Sequence, residues 1–436
     1  MNLDGLLGLF REAGCTGVFG KYLAENDNSK NQIYLGGDLK VLNLLPSQRI
    51  FSSDTPAGPS FKAKIDLGWL QPDGRVSPAP HAQIILYAQY PEVRLSGFLR
   101  GSEKAPNELL NKRMVGRILL FGISGTKVIS WVLQRGDTAA KEIEALHTRE
   151  GSLTLFNIQR FQNSYRKEER ERVIQALKTV HMAGWIDSKQ LSEDGKIGPC
   201  RAPQCGGFTL EAELGIPKNS KSDPDLFGYE VKQYGVKDFK KPGSGRITLM
   251  TPEPDGGTYK TLGVEVFIRS FGYKDKTGRP DRLNFGGIHK AKQVCQATGL
   301  TMKIDGFDAG KGRITKAGGS IRLETKDGED AASWTFANIL EHWKHKHTNA
   351  VYVPSENRKA PRWQYRYGNL IKLCTGTDGI RFLTSLSAGK IFYDPGIKLE
   401  QAFSDRPRTK RRSQFRVQAG DINALYERVE VIDLNA

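Results

Sequence analysis

Residues 224–232, Pro-Asp-Leu-Phe-Gly-Tyr-Glu-Val-Lys, constrain this chain more than any other stretch. Tyr229, Val231 and Gln233 alternate with Glu230, Lys232 and Tyr234, which is the period of a strand. Side chains two apart on a strand share a face, so Glu230 and Lys232 point the same way, and Asp225 enters at the strand's start. Two carboxylates converging with one ammonium make a poor core and a good divalent-metal site. Hard oxygens take Mg²⁺, and a lysine can hold or polarise a water beside it. The plain alternative is a surface hairpin with a salt-bridged Glu and Lys. The setting favours the metal site: a short amphipathic segment, Thr209–Leu214, precedes it, and Pro217–Asp223 is rich in turn formers. A second Glu-x-Lys, at Glu324-Thr325-Lys326, has no Pro-Asp upstream at the right distance and runs into Lys326-Asp327-Gly328, a hairpin turn.

Charge narrows the partner. Lys and Arg total 65 against 48 acidic residues, a formal charge of +17. Phosphate contacts supply most nonspecific affinity for nucleic acid, so a polyanion is the natural partner. Solubility alone would also use excess charge, but here the charge is clustered. Arg406 to Arg416 holds six basic residues and no acidic one. The 436 residues are enough for two or three domains. With no apolar run near the roughly 20 residues of a membrane helix and no basic leader-like start, a cytoplasmic bacterial protein is expected. The five cysteines are few, odd in number and scattered, which suits a reducing cytosol. They read as ordinary thiols; a zinc site from Cys200, Cys205 and either His289 or Cys295 is the alternative.

Residues 1 to about 150 read as β-rich. A helix is expected over Leu3–Ala13, and strands over Gln32–Leu35, Ser60–Asp66, Gln83–Tyr87, Val93–Phe98, Arg117–Gly122 and Lys127–Leu133. Short strands separated by turn formers suggest a small barrel or sandwich. A helix at Thr138–Thr148 closes this region, and the domain boundary is placed near residue 155. Another helix is expected over Arg166–Ala183, from Val173, Leu177 and Val180. Beyond the Glu230 strand, further strands are expected at Arg246–Thr251, Val264–Arg269, Leu300–Asp305, Ser320–Glu324, Ala350–Val353, Lys390–Asp394 and Gln414–Gln418. Helices are expected at Thr335–Lys346 and, interrupted by glycines, Asn369–Thr384. His342, His345 and His347 read as a basic helix end, with metal binding the alternative. No phosphate-loop spacing and no serine or cysteine triad occurs.

Several ordered blocks carry a resemblance: Ala183-Gly184-Trp185, Gly207-Phe208-Thr209-Leu210-Glu211, Pro224-Asp225 with Glu230-Val231-Lys232, Thr248-Leu249-Met250-Thr251, Ser333-Trp334-Thr335-Phe336, Gln364-Tyr365-Arg366-Tyr367 and Gln414-Phe415-Arg416-Val417. With them the second domain, 156–436, resembles the MvaI/BcnI restriction endonucleases, relatives of the mismatch-repair nickase MutH within the PD-(D/E)xK superfamily. The resemblance implies an α/β domain with a mixed central sheet, in which Asp225 and Glu230 hold Mg²⁺ (Mn²⁺ being able to substitute), Lys232 is the catalytic lysine and Glu211 assists. It places Arg416 where the family reads guanine and Asp394 near an acidic base-reading position. Where the family's namesake has a His-x-His, this chain has basic residues, Lys410, Arg411 and Arg412 among them.

The first domain, 1–155, more faintly resembles the B3-like pseudobarrel at the N-terminus of EcoRII. The shared segments are Lys21-Tyr22-Leu23-Ala24-Glu25-Asn26-Asp27, Leu35 through Leu45-Pro46, and Arg94-Leu95-Ser96-Gly97. In that fold two loop arms grip the major groove. By position, Lys21, Asn26, Asn28 and Lys30 would lie on one arm and Arg94 on the other.

The expectation is a β domain followed by an α/β domain, acting as a monomeric, Mg²⁺-dependent Type II restriction endonuclease. It would cut double-stranded DNA at a short CCWGG- or CCSGG-like site, with a cognate methyltransferase as functional partner. A MutH-like nickase and a catalytically silent DNA-binding regulator are the rivals.

Overall fold

The computed structural model describes residues 1–24, 31–37, 40–55, 58–87, 92–111, 114–146, 155–218, 225–344 and 347–436. The chain divides into two compact units, Met1–Arg170 and Glu171–Ala436. It is a strand-rich mixed α/β protein with several sheets.

In the first unit the described strands form one six-stranded and one five-stranded sheet. The six-stranded sheet centres on the hairpin Ile118–Ser124/Lys127–Leu133, flanked by Gly17–Tyr22 and, in parallel, Asp66–Leu70. The helices Leu3–Glu12 and Thr138–Leu146 bury Leu3, Leu6, Leu7 and Phe10 with Ala139, Ala140 and Ile143 in one apolar cluster. Asn2 caps the first helix, its side chain accepting from Gly5 N at 2.9 Å. The strands expected at 83–87 and 127–133 form with those bounds. The single strand expected over Ser60–Asp66 is instead two, Gly58–Lys64 and Asp66–Leu70, which belong to different sheets.

In the second unit the Glu230–Gly235 strand lies parallel to the long strand Asn349–Arg358, with Glu230 beside Ala350 and Lys232 beside Tyr352. Gln364–Tyr367 and Leu370–Thr375 return antiparallel to the same long strand, and Arg428–Asp433 closes the far edge. Parallel and antiparallel neighbours together make this a mixed sheet. The helix Gln159–Met182 contributes Val173, Leu177 and Val180 to the core under it, with Val231, Val351 and Leu373. A second, three-stranded sheet runs Arg246–Met250, Phe415–Gln418, Ile391–Tyr393.

Two expected elements are corrected. Val264–Arg269 is not a strand but the start of a helix, Val264–Phe271. Its buried residues, Val264, Phe267, Ile268 and Phe271, recur at helical spacing, and that period outweighs the β-branched side chains. Asn369–Thr384 is not a broken helix. Leu370–Thr375 is a strand, with Ile371 and Leu373 buried on alternate positions, and a helix forms only over Gly379–Ser387. Asp378 starts that helix, its carboxylate accepting from Arg381 N at 2.7 Å.

The reading of five ordinary thiols is also corrected. Cys200 and Cys205 are joined in a disulfide, while Cys15, Cys295 and Cys374 are free and buried. A zinc site built from free Cys200 and Cys205 is therefore absent.

Candidate active site

The four residues between Asp225 and Glu230 are a tight turn. Leu226 and Tyr229 exchange backbone hydrogen bonds of 2.9 and 2.8 Å, and the two residues between them, Phe227 and Gly228, have φ of +45° and +77°. Two central residues at positive φ define the turn whose twist suits a two-residue hairpin. Glycine takes that conformation freely; Phe227 does not, and its ring is covered by the Arg172 guanidinium at 3.9 Å. The turn folds Asp225 back beside the next strand, where its carboxylate accepts from Val231 N at 3.0 Å. The spacing of the motif thus has a mechanical cause: four residues are what the turn consumes.

Glu230 and Lys232 share a face as their spacing requires. Glu230 is 1% exposed, and Lys232 Nζ donates to its Oε1 at 2.5 Å. Beside them in the sheet, the buried Tyr352 hydroxyl is 2.8 Å from that of Tyr426. Burial pushes the Tyr352 phenol well above its usual value, with the charges of Cys374 and Glu230 adding to the shift and the Tyr426 hydrogen bond opposing it. Gln233, on the opposite face of the strand, donates to Ser355 Oγ at 2.5 Å.

Glu211 comes from the helix Cys205–Glu213, which begins at the disulfide. Tyr367 Oη donates to Gly206 O at 2.8 Å and pins that end of the helix to the sheet. Glu211, Asp225, Glu230, Lys232 and Arg416 all line one cleft of about 1120 Å³.

Arg416 lines the cleft from a different sheet, on the strand Phe415–Gln418. Its Nη1 donates to Asp394 Oδ2 at 2.8 Å and its Nη2 to Arg246 O at 3.3 Å. Phe415 turns the other way, fully buried against Trp334, Tyr393 and Phe382 with ring centroids 5.2, 5.3 and 5.8 Å away. The structure therefore brings together Asp225, Glu230, Lys232, Glu211 and Arg416, and joins Arg416 to Asp394. Lys410, Arg411 and Arg412 stand on the exposed stretch before Phe415, Lys410 paired with Glu400 at 2.9 Å.

Sequence reasoning gave no site role to Arg246, Thr248, Lys359 and Trp363, which also line the cleft; His342, read as part of a basic helix end, lines it too. His342 is fixed by Nδ1 against Asn338 O at 2.9 Å, and His347 stacks on Trp343 at 4.1 Å; His345 lies outside the described residues. Lys359 sits 5.5 Å from the Trp363 ring at the tip of the hairpin after the long strand. The alternation of Arg358-Lys359 with Arg362-Trp363 was a legible basic and aromatic signal. The second Glu-x-Lys forms no such site: Glu324 pairs with Lys303 at 2.6 Å, and Gly328 N closes the turn on Thr325 O at 3.1 Å.

In the first unit Lys21 is buried, 5% exposed, its Nζ over the Tyr34 ring at 5.6 Å. Arg94 pairs with Glu92 at 2.8 Å and donates to Gln32 Oε1 at 3.1 Å. Asn26, Asn28 and Lys30 lie outside the described residues. A smaller cleft of about 390 Å³ is lined by Lys64, His81 and Arg100 among others.

Among the described residues, no three His, Cys, Asp or Glu side chains converge as a ready-made metal cage. The donor set still suits one ion. Mg²⁺ is usually held by only one or two carboxylates, its other positions going to water and substrate phosphate. Asp225 and Glu230, both lining the cleft, are such a pair. No described helix is long and apolar enough to cross a membrane.

The profile of the MvaI/BcnI restriction endonuclease family matches residues 174–426. Two solved structures are similar to this chain. One is titled "Restriction endonuclease MvaI-cognate DNA substrate complex", with 18% identity, a TM-score of 0.46, and coverage of 61% of this chain and 98% of that one. The other is titled "Restriction endonuclease MvaI in the absence of DNA", with 17% identity, a TM-score of 0.33 and the same coverage. No curated protein matches.

Proposed function

This chain belongs to the MvaI/BcnI restriction endonuclease family, and we propose that it is a Type II enzyme cutting double-stranded DNA with Mg²⁺. In this reading residues 156–436 are the PD-(D/E)xK nuclease, 1–155 are a B3-like DNA-binding domain, and the site is short and C/G-flanked, of the CCWGG or CCSGG kind. The enzyme acts as a monomer, one strand after the other, and a cognate methyltransferase protects the host DNA. One observation carries the reading: Asp225, Glu230 and Lys232 line the same cleft as Arg416, an arginine oriented by a carboxylate.

Asp225 and Glu230 would hold Mg²⁺, for which Mn²⁺ can substitute; when bound it lowers the pKa of a water and offsets charge on the scissile phosphate. The residues do the rest. The Val231 N–H fixes the Asp225 carboxylate at the mouth of the strand. Lys232, whose Nζ donates to Glu230 Oε1, would position the attacking water or offset charge on the phosphate. Glu211 offers a further carboxylate on the same cleft, as an assisting base or water anchor. Arg416 and Asp394 read base edges: an arginine presents paired donors to guanine O6 and N7, and a carboxylate accepts from cytosine N4. Lys410, Arg411 and Arg412 supply phosphate and base contacts from the adjoining stretch. Arg94, Asn26, Asn28, Lys30 and Lys21 belong to the DNA-gripping side of the first domain.

Purified protein incubated with unmethylated phage DNA and Mg²⁺ tests the reading. Double-strand breaks at one short sequence support it. Nicks that require a second protein would favour a repair nickase, and binding without any cleavage a silent regulator.

A further inference from the structure

Arg416 lies on the middle strand of the three-stranded sheet, and the chain just before that strand goes on pairing with residues 394–396. Asp394 N donates to Gln414 O and Gly396 N to Arg412 O, both at 2.9 Å. This ladder keeps residues 412–417 extended, so alternate side chains take opposite faces. Ser413, Phe415 and Val417 are buried, 2%, 0% and 0% exposed. Arg412, Gln414 and Arg416 face the other way, with Asp394 across from them. Gln414 accepts from Thr248 Oγ1 at 3.4 Å, and Arg416 is held by Asp394. Arg412 is steadied differently. A Cβ built on Gly396 would lie 2.5 Å from Arg412 Nε and Nη2 and 2.7 Å from Cζ. Its guanidinium rests against the bare backbone of Gly396, in space that any other residue would fill.

We propose that Gly396 is a positioning residue for sequence reading, seating the Arg412 guanidinium in one row with Gln414 and Arg416; this rests on the reading of the protein as a site-specific DNA endonuclease. Three side chains spaced two residues apart on an extended strand span about 14 Å. That is about four base-pair steps at 3.4 Å each, a length suited to a short site. In the major groove, donors such as Arg and Gln distinguish all four base pairs. Arg412 is exposed, so without the seat it would sample many rotamers and lose most of its orientation. The bare backbone at Gly396 leaves the space that the guanidinium occupies.

The test uses full-length protein. End sequencing of its phage-DNA digest defines the site, and competition titrations then compare the cognate duplex with a scrambled one. Arg412→Ala is expected to lower the ratio of cognate to scrambled affinity roughly tenfold. Gly396→Ala keeps every charge, so it should lower the ratio similarly while leaving scrambled-DNA affinity and its salt dependence unchanged. The double variant should match Arg412→Ala alone. If Gly396→Ala destabilises the fold, removing Arg412 should restore stability, because the displaced atoms are gone. Full discrimination by Gly396→Ala, additive losses in the double variant, or instability that persists without Arg412 would each overturn the proposal. Wild-type protein that cuts no defined sequence would instead overturn the endonuclease reading, and this inference with it.

Discussion

Arg416 and Asp394, 22 residues apart in the chain, meet at 2.8 Å across neighbouring strands on the wall of the cleft. The pair is only partly exposed, 22% and 17% at the side chains. Arg246 adds a second cation 3.8 Å from the same carboxylate. A carboxylate bonded to one edge of a guanidinium fixes its plane and leaves other N–H groups to be used. Arg416 Nε makes no hydrogen bond among the described residues. The group is thus oriented before any DNA arrives.

That arrangement separates reading from gripping. Arg416→Ala should cost about 1–3 kcal/mol in binding to the cognate site and far less on random DNA. Lys410, 65% exposed and paired with Glu400, should act as a phosphate contact. Lys410→Ala should weaken both duplexes alike and shallow the salt dependence by about one contact. Competition titrations at several salt concentrations measure both; equal losses on the two duplexes for Arg416→Ala would make it a phosphate contact.

Asp225→Asn and Asp225→Ala should each reduce cleavage by at least about a hundredfold and retain specific binding. The asparagine keeps an acceptor for Val231 N–H, so it preserves the turn while removing the charge. Single-turnover cleavage beside a binding titration distinguishes the two effects. Near-wild-type cleavage by the asparagine variant would put the metal elsewhere.

Chelation with EDTA should abolish cleavage, and added Mg²⁺ or Mn²⁺ should restore it. Ca²⁺, larger and with looser geometry, should support binding without comparable cutting. Activity that survives thorough chelation would remove the role assigned to Asp225 and Glu230.

A fragment spanning 156–436 should fold and cut DNA without the first domain. It must retain the helix Gln159–Met182, because Val173, Leu177 and Val180 are buried in the second unit's core. A fragment starting after residue 182 should therefore lose its cooperative unfolding transition. A soluble, folded 156–436 fragment that neither binds nor cuts would make the first domain part of the catalytic unit.

Cys295 gives a pH prediction. Burial raises its thiol, but the hydrogen bond and charge of His289, with help from Thr298, outweigh burial and bring it from 9.0 down to about 7. A folded-state value below the unfolded one means stability that is fully present above pH 9 and lost as pH falls through 7. Wild-type protein should gain more stability between pH 7 and 9 than Cys295→Ser, read by urea denaturation. Equal gains would show that the thiolate is not stabilised in the fold.

Much of the Glu230–Gly235 strand was legible because its information is local. The alternation around Val231 placed Glu230 and Lys232 on one face, and Asp225 lay one turn upstream. Elements failed where two periods competed over a short run. Val264–Phe271 carries β-branched residues at helical spacing, and Leu370–Thr375 is an alternating strand whose flanking glycines suggested a broken helix. Its two strand neighbours, Asn349–Tyr352 and Arg428–Asp433, supplied the pairing that decided it.

By itself the sequence determined the chemistry on offer: two carboxylates and a lysine at strand spacing, a basic run ending in Phe415-Arg416, and the ordered blocks of one family. Only the tertiary structure decided which of these residues meet. Asp394 finds Arg416 through strand pairing, Gln414 finds Thr248 across 166 residues, and Gly396 lies under Arg412. Such contacts depend on register between distant strands, and a one-residue slip would turn every one of those side chains to the other face. Local periodicity carries no record of that register.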